Sequence, residues 1–111
     1  MNTEYVQNEA SAKIAALNDA ARKNARSYTA TLGIMSLEPR MISDIFVAVQ
    51  EFNSFTEDND PYGEHDFGVV EIANDKIFWK IDYYNKDLSG GCDSLSNECR
   101  RVITIMLADE Y

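Results

Sequence analysis

The sequence predicts a small α+β protein of one domain, in which about three helices pack on a small antiparallel sheet. Residues 66–72 and 77–84 alternate between apolar and polar side chains, which predicts a central hairpin. Three other segments repeat apolar residues at helical spacing. The chain has 111 residues, which suffices for one ordinary core and is too short for two.

The first predicted helix runs from about Thr3 or Glu4 to about Lys23, where alanines raise the helix propensity. Its predicted buried stripe is Ala10, Ile14, Leu17 and Ala21. The basic residues near its end, which lack interleaved aromatic side chains, are expected to form a solvated face: Lys13, Arg22, Lys23 and Arg26.

Residues 28–34 are rich in β-favouring side chains and predict a short strand or extended connection, which would be a third strand of the sheet. A second helix is predicted from Pro39, with Ser36 or Glu38 as its cap, because proline is tolerated in a first helical turn. Its apolar stripe is Ile42, Ile45, Phe46, Val49 and Phe52.

The hairpin is predicted to turn at Asn74-Asp75, because both residue types tolerate the positive φ of a two-residue turn. One face of the hairpin is then apolar and is expected to be core. Its predicted cross-strand pairs are Ile72 with Ile77, Val70 with Trp79 and Gly68 with Ile81.

A third helix is predicted to begin at Asp93 or Ser94 after a polar loop. Its apolar positions are Leu95, Cys99, Val102, Ile103, Met106 and Leu107. The spacing of Cys92 and Cys99 matches neither a zinc knuckle nor a two-residue redox motif. Two reduced thiols are therefore expected, with a disulfide as the alternative.

The net charge of −9 is concentrated in the middle of the chain. Residues 41–75 carry nine carboxylates and no Lys or Arg: Asp44, Glu51, Glu57, Asp58, Asp60, Glu64, Asp66, Glu71 and Asp75. A field of this sign repels nucleic acid and attracts basic surfaces. The pattern therefore predicts a basic protein partner rather than direct nucleic-acid binding.

The first twenty residues are polar and alanine-rich, which predicts neither a signal peptide nor a membrane span and favours a cytoplasmic location. Phosphate-loop, dinucleotide and Gly-x-Ser-x-Gly signatures are missing from the sequence. Asp58, Asp60 and Gly63 fit a calcium loop, but Tyr62 and Val69 occupy positions that need oxygen ligands. We expect no metal and no cofactor.

The predicted register places His65 opposite Tyr84 and diagonal to Asp82. An imidazole, a carboxylate and a phenol in this arrangement can act as a general base if a cleft covers them. His65, Asp82 and Tyr84 are therefore weak catalytic candidates. The alternative is structural, with His65 holding the entry of the hairpin through Asp82 or Tyr84.

Several runs of the chain resemble a family of small bacterial proteins of unknown function. They are residues 14–19 (IAALND), 31–34 (TLGI), 59–68 (NDPYGEHDFG), 79–84 (WKIDYY) and 104–111 (TIMLADEY). Relatives carry Ser-Asp-Pro near residues 92–94 and Thr near Cys99, so the resemblance implies no role for either thiol. It also implies carriage on proteobacterial plasmids and mobile elements, and hence defence, counter-defence or partner binding.

Together these patterns favour an acidic, non-enzymatic binding protein. The hypothesis is a mimic of nucleic acid that inhibits a basic, nucleic-acid-handling partner, of the anti-CRISPR or anti-restriction kind. Its predicted partner-binding residues are Glu57, Asp58, Asp60, Glu64 and Asp66. One alternative is a small hydrolase-like enzyme that uses His65 and Asp82. The other is an acidic domain whose charge serves only solubility.

Overall fold

The computed structural model describes residues 8–24 and 28–111. The elements are α1 (Glu9–Lys23), β1 (Tyr28–Ala30), α2 (Leu32–Met35), α3 (Pro39–Gln50), β2 (Phe67–Ile72), β3 (Asp75–Tyr84), β4 (Arg100–Leu107) and a 3-10 helix (Ala108–Glu110). This arrangement confirms the predicted α+β class. None of the helices in these residues is both long and apolar enough to cross a bilayer.

The four strands form one sheet in the order β1-β4-β3-β2. Strand β3 is antiparallel to both β2 and β4, whereas β1 is parallel to β4. The sheet is therefore mixed rather than purely antiparallel. A parallel pair requires a crossover between its strands, and the chain between β1 and β4 supplies it through α2, α3 and the hairpin.

Helix α1 begins at Glu9 because Asn8 caps it. The Asn8 side chain accepts a hydrogen bond from the Ser11 N–H at 2.7 Å, and the Ser11 hydroxyl accepts one from the Asn8 N–H at 3.0 Å. The predicted start at Thr3 or Glu4 lies outside the described residues. The buried stripe is turned from the predicted one and consists of Ser11, Ile14, Ala15, Asn18 and Arg22.

The predicted third strand is correct for residues 28–30 and wrong for residues 32–34, which belong to α2. The side chain of Thr31 accepts a hydrogen bond from the Ile34 N–H and so caps this short helix. The second predicted helix is confirmed as α3, with Pro39 in its first turn after Glu38. Its inward residues Ile45 and Val49 are fully buried.

The hairpin turns at Ala73-Asn74, with φ of 51° and 72°, instead of at Asn74-Asp75. The observed pairs are Ile72 with Asp75, Val70 with Ile77 and Gly68 with Trp79. This register differs from the predicted one by two residues, so the side chains of β2 and β3 keep their predicted faces. The prediction erred because alanine is disfavoured at positive φ and gives no turn signal.

The predicted third helix is wrong, because residues 100–107 form β4. Val102, Ile103, Thr104 and Ile105 are consecutive β-branched residues, which favour a strand over a helix. The expectation of two reduced thiols is also wrong, because Cys92 and Cys99 form a disulfide. The turns of residues 92–99 bring their Cα atoms to 5.7 Å, a normal separation for a disulfide.

The core lies between the helices and one face of the sheet, as predicted for that face. Its buried members are Ile34, Ile45, Val49, Ile77, Trp79, Ile81, Ile103 and Ile105. The indole of Trp79 lies directly against Gly68, where an added Cβ would sit 2.4 Å from Nε1. The missing side chain at Gly68 therefore makes room for the largest side chain of the core.

Candidate partner-binding loop

The segment that holds most of the predicted site residues connects α3 to β2, and we call residues 56–66 the acidic loop. Asp60, although charged, is only 4% exposed. Its carboxylate accepts hydrogen bonds from the backbone N–H groups of Glu64 and His65, at 3.3 and 3.2 Å. The side chain of Asn59 accepts from the Thr56 N–H at 2.8 Å. The loop is thus held in one shape by its own side chains.

His65 fastens this loop to α1. Its Nδ1 lies 2.9 Å from Oδ1 of Asp19, and its ring stacks on Phe55 with centroids 3.7 Å apart. Its Nε2 lies 3.7 Å from Oδ2 of Asp60. The backbone of His65 has φ of 57°, a conformation that non-glycine residues adopt at some cost. The surrounding contacts hold the residue in this strained position.

Arg22 binds the same carboxylate of Asp19 that contacts His65. Its Nη2 donates to Oδ1 of Asp19 at 2.7 Å, and its Nη1 donates to the carbonyl oxygens of Val49 and Phe52. The last carbonyls of a helix attract a cation, so Arg22 stabilises the C-terminal end of α3. Its guanidinium also lies over the ring of Trp79 at 5.0 Å.

The prediction that Arg22 belongs to a solvated face is therefore wrong, whereas Arg26 lies outside the described residues. The sequence did contain a pattern that could have predicted the burial of Arg22. Residues 11, 14, 15, 18 and 22 follow helical spacing, but the polar character of Asn18 and Arg22 hid the stripe. Lys13 and Lys23 are exposed, as predicted.

A second network ties the loop to β3 and β4 through Asn18. The Asn18 amide donates to the carbonyl of Glu64 and to the hydroxyl of Tyr83, both at 2.9 Å. Its oxygen accepts from Nε of Arg101 at 2.7 Å. Arg101 also donates to the backbone carbonyls of Ser94 and Ser96 in the disulfide-closed loop. The acidic loop is therefore fixed to the rest of the fold at Glu64 as well as at His65.

Three carboxylates crowd together at the end of the acidic loop. Burial, followed by repulsion from Asp66 and Asp60, raises the pKa of Glu64. Burial and then the charge of Asp60 raise the pKa of Asp66 as well. Burial also raises the pKa of Tyr83, whose hydroxyl faces Asp66, to about 12. Asp60, Glu64 and Asp66 are therefore close enough at this end of the loop to repel one another.

The five predicted partner-binding residues fall into three groups. Glu57 and Asp58 are exposed on the acidic loop. Asp60 is buried and shapes the loop, so its direct contact with a partner is not supported by its position. Glu64 and Asp66 are partly buried at the junction with β2.

The three weak catalytic candidates are not arranged as predicted. Asp82 accepts a hydrogen bond from Nζ of Lys80 at 2.7 Å, and Tyr84 pairs with Arg100 across strands β3 and β4. His65 is bonded instead to Asp19, because the chain leaves the hairpin ladder before reaching it. The prediction of a His65, Asp82 and Tyr84 cluster is therefore wrong in its geometry.

Tyr62 lies in the acidic loop and was not among the predicted site residues. Its side chain is 78% exposed, between the exposed Pro61 and the buried Gly63. An aromatic residue at the tip of a proline-glycine turn was the available signal, because such a turn presents its central side chains to solvent. Tyrosine is also enriched in protein interfaces.

Two surface grooves lie elsewhere in the described parts of the chain. One, of about 400 Å³, lies between α1 and the start of β4, and the other, of about 250 Å³, lies between the first residues of β3 and the end of β4. His65 lines neither groove. Within residues 8–24 and 28–111, no three His, Cys, Asp or Glu side chains converge in a way that could hold a metal ion.

The fold and the loop define a small α+β protein that presents a preorganised acidic loop. Residues 30–110 match the model of the family described as protein of unknown function, DUF3768, and the chain belongs to this family. The predicted resemblance to an uncharacterised family is thereby confirmed. The match begins after α1, so Asp19 and Arg22 lie outside it. No curated protein and no solved structure matches the chain.

Proposed function

We propose that the protein is a non-enzymatic binding protein whose acidic loop docks on a basic surface of a partner protein. The observation that carries the proposal is the buried carboxylate of Asp60, which fixes the loop from within while Glu57, Asp58 and Tyr62 face solvent. A loop that is already ordered loses little conformational entropy on binding. Its negative charges and its exposed aromatic ring are then available to a partner.

The charge of the loop supports a basic partner. Burial, and after it repulsion from neighbouring carboxylates, raises the pKa of Glu64 and of Asp66, and a cationic surface would relieve the repulsive part. Complementary charge also accelerates the encounter of two proteins. Tyr62 supplies the type of side chain that contributes most to binding energy at interface centres.

The finer form of the proposal is nucleic-acid mimicry. Exposed carboxylates on a fixed loop would stand in for phosphates and occupy the basic surface of a nucleic-acid-handling enzyme. Carriage on mobile elements would make such an inhibitor a counter-defence protein of the anti-CRISPR or anti-restriction kind. The predicted cytoplasmic location belongs to the same proposal, although a disulfide is more typical of an oxidising compartment.

A hydrolase-like activity has one supporting observation, the bond between His65 and the carboxylate of Asp19. Such an enzyme would use Asp19 rather than Asp82 to orient the imidazole. However, Nε2 of His65 faces Asp60, and the ring is covered by Phe55. The site thus offers a substrate little access to the imidazole, and we rank this activity below partner binding.

The proposal is tested by capturing the partner with three forms of the immobilised protein from extracts of the cells that encode it. They are the wild type, the triple reversal Glu57→Lys, Asp58→Lys and Glu64→Lys, and a control with Asp44→Lys, Glu51→Lys and Glu98→Lys. The control makes the same change of net charge at exposed positions outside the acidic loop. We expect the wild type and the control to retain a basic protein that the triple reversal loses.

The captured protein is then identified by mass spectrometry and assayed for binding of its own nucleic acid with and without the inhibitor. Competition between the inhibitor and the nucleic acid supports mimicry. Capture by all three forms alike would contradict the assignment of the acidic loop. A captured protein that binds the loop without affecting nucleic-acid binding would support docking and contradict mimicry.

A further inference from the structure

One face of the sheet is turned away from the core formed with the helices. The side chains on it come from alternate residues of β2, β3 and β4. We call this the open sheet face, and it consists of Phe67, Val69, Glu71, Lys76, Phe78, Lys80, Asp82, Tyr84, Arg100, Val102, Thr104 and Met106, the last of which is only 4% exposed. The helical members of the core, such as Ile45 and Val49, pack on the opposite face with Trp79.

An aromatic cluster occupies the open sheet face. Phe67 and Phe78 pack edge to face with centroids 5.4 Å apart, and Tyr111 packs on both at 5.8 and 5.4 Å. Tyr111 is 73% exposed and Val69 is 36% exposed. A contiguous apolar patch of this kind on a small acidic protein is characteristic of an interaction surface.

The charge of the open sheet face differs from that of the rest of the chain. Lys76, Lys80 and Arg100 carry three positive charges against two negative charges on Glu71 and Asp82, a net charge of +1. The whole chain carries −9, so the remaining residues carry −10. Two copies of the chain can therefore approach through this face with less repulsion than through their acidic surfaces.

We propose that the open sheet face binds a second copy of the same chain and forms a symmetric dimer by packing sheet on sheet. In a two-fold arrangement the same patch meets itself, so a face that carries both signs of charge is self-complementary. Lys80 of one copy meets Asp82 of the other, beside the facing aromatic clusters. Within one chain these two side chains already lie 2.7 Å apart, so they form a mixed-sign pair at the middle of the face.

The size of the face sets the strength of the dimer. The strands that form this face, β2, β3 and β4, have six, ten and eight residues, and at about 3.3 Å per residue and about 4.8 Å between strands they cover about 380 Å² per copy. Two copies then cover about 760 Å², which is below the roughly 1,200 Å² of a standard stable interface. The dimer is accordingly weak and forms at high protein concentration. This inference does not depend on the acidic loop.

The experiment is sedimentation equilibrium of the purified chain over a range of about 1 to 500 µM, which spans the dissociation constants of small interfaces. We expect the mass to rise from the 12.6 kDa of the monomer towards twice that value. Val69→Lys is expected to keep the chain monomeric over this range, because it places a charge in the interface of each copy. The matched control is Val47→Lys on α3, which changes a similarly exposed valine and is expected to leave the dimer intact.

The salt dependence gives a second criterion. Salt screens the repulsion between the two acidic copies, so the dimer is expected to strengthen as salt rises. Docking of the acidic loop on a basic partner has the opposite dependence, and the two proposals can therefore fail independently. Circular dichroism of Val69→Lys establishes that its fold is intact.

A wild-type chain that stays monomeric at the highest concentration, or a Val69→Lys variant that dimerises like the wild type, would overturn the proposal. A different occupant is tested with a single-stranded oligothymidylate, because aromatic and basic side chains on an open sheet can also stack bases. Binding of this probe to the wild type, lost in Val69→Lys and weakened by salt, would assign the face to nucleic acid instead.

Discussion

Nδ1 of His65 lies 2.9 Å from Oδ1 of Asp19, and this contact joins the acidic loop to α1. The same oxygen of Asp19 accepts a hydrogen bond from the buried Arg22 at 2.7 Å, and Arg22 in turn binds the end of α3. The acidic loop is therefore positioned by contacts that reach two helices. Substitutions of His65 report on how strongly these contacts hold it.

His65→Ala is expected to lower the free energy of unfolding by about 1 to 3 kcal/mol, because it removes a partly buried hydrogen bond and a stacked ring. His65→Gly removes the same contacts but relieves the backbone strain at φ of 57°, so it should be less destabilising by about 1 kcal/mol. Urea denaturation of both variants measures the difference. Equal losses would show that the backbone at His65 is unstrained. Partner binding is expected to persist in both.

Gly68→Ala is expected to destabilise the protein by about 1 to 3 kcal/mol through overpacking. The added Cβ would lie 2.4 Å from Nε1 and 2.6 Å from Cε2 of Trp79, which is completely buried. The control is Gly90→Ala, where the nearest heavy atom lies 3.7 Å away. Chemical denaturation should separate the two variants, and similar midpoints would contradict the close packing of Trp79 on Gly68.

Removal of the disulfide by Cys92→Ser and Cys99→Ser is expected to lower the free energy of unfolding by about 2 kcal/mol, because the closed loop is short. Dithiothreitol should lower the melting temperature of the wild type and leave that of the double variant unchanged. A wild type that melts at the same temperature with and without the reductant would restore the expectation of two reduced thiols.

The stability of the protein is expected to depend on pH through Asp66, whose pKa is raised above its ordinary value of 3.8. Because the pKa of Asp66 is raised in the folded state, the contribution of this group to stability is fully present below its unfolded pKa and is lost as the pH rises through its folded pKa. Asp66→Asn should therefore stabilise the protein relative to the wild type at pH 7 and lose this advantage near pH 3.

Denaturation curves at several pH values, with exposed Asp58→Asn as the control, measure this effect. The difference between Asp66→Asn and wild type should grow with pH, and the Asp58→Asn difference should change less. If the stability difference between Asp66→Asn and the wild type stayed constant with pH, burial and the charge of Asp60 would not destabilise the ionised carboxylate of Asp66.

Helices α1 and α3 and the face of the hairpin could be predicted because they depend on local periodicity, whereas the short α2 was expected to be a strand. The pattern of Ile45 and Val49 gave α3, and the alternation of residues 77–81 placed Trp79 in the core. Strand β4 was missed because its apolar residues fit the period of a helix as well as that of a strand. Only the β-branched run from Val102 to Ile105 favoured the strand.

The candidate site was predicted only in part, since its contacts join distant segments. Glu57 and Asp58 could be read from charge alone. The contact of His65 with Asp19 could not be predicted from the sequence, because it depends on where α1 packs. The inward position of Asp60 depends on hydrogen bonds to backbone groups up to five residues away, which charge patterning does not report.

The central claim is that the acidic loop steers the protein onto a basic partner. The most direct measurement is the rate of association with the captured partner across a salt series, for the wild type, the Glu57, Asp58 and Glu64 triple reversal, and the Asp44, Glu51 and Glu98 control. Exposed charges are screened over about 8 Å at physiological ionic strength, so the wild-type rate should fall steeply with salt. We expect the triple reversal to associate slowly at every salt concentration while its circular dichroism spectrum stays that of the folded protein, and the control to behave more like the wild type. A triple reversal that associates at the wild-type rate throughout the series would contradict the account.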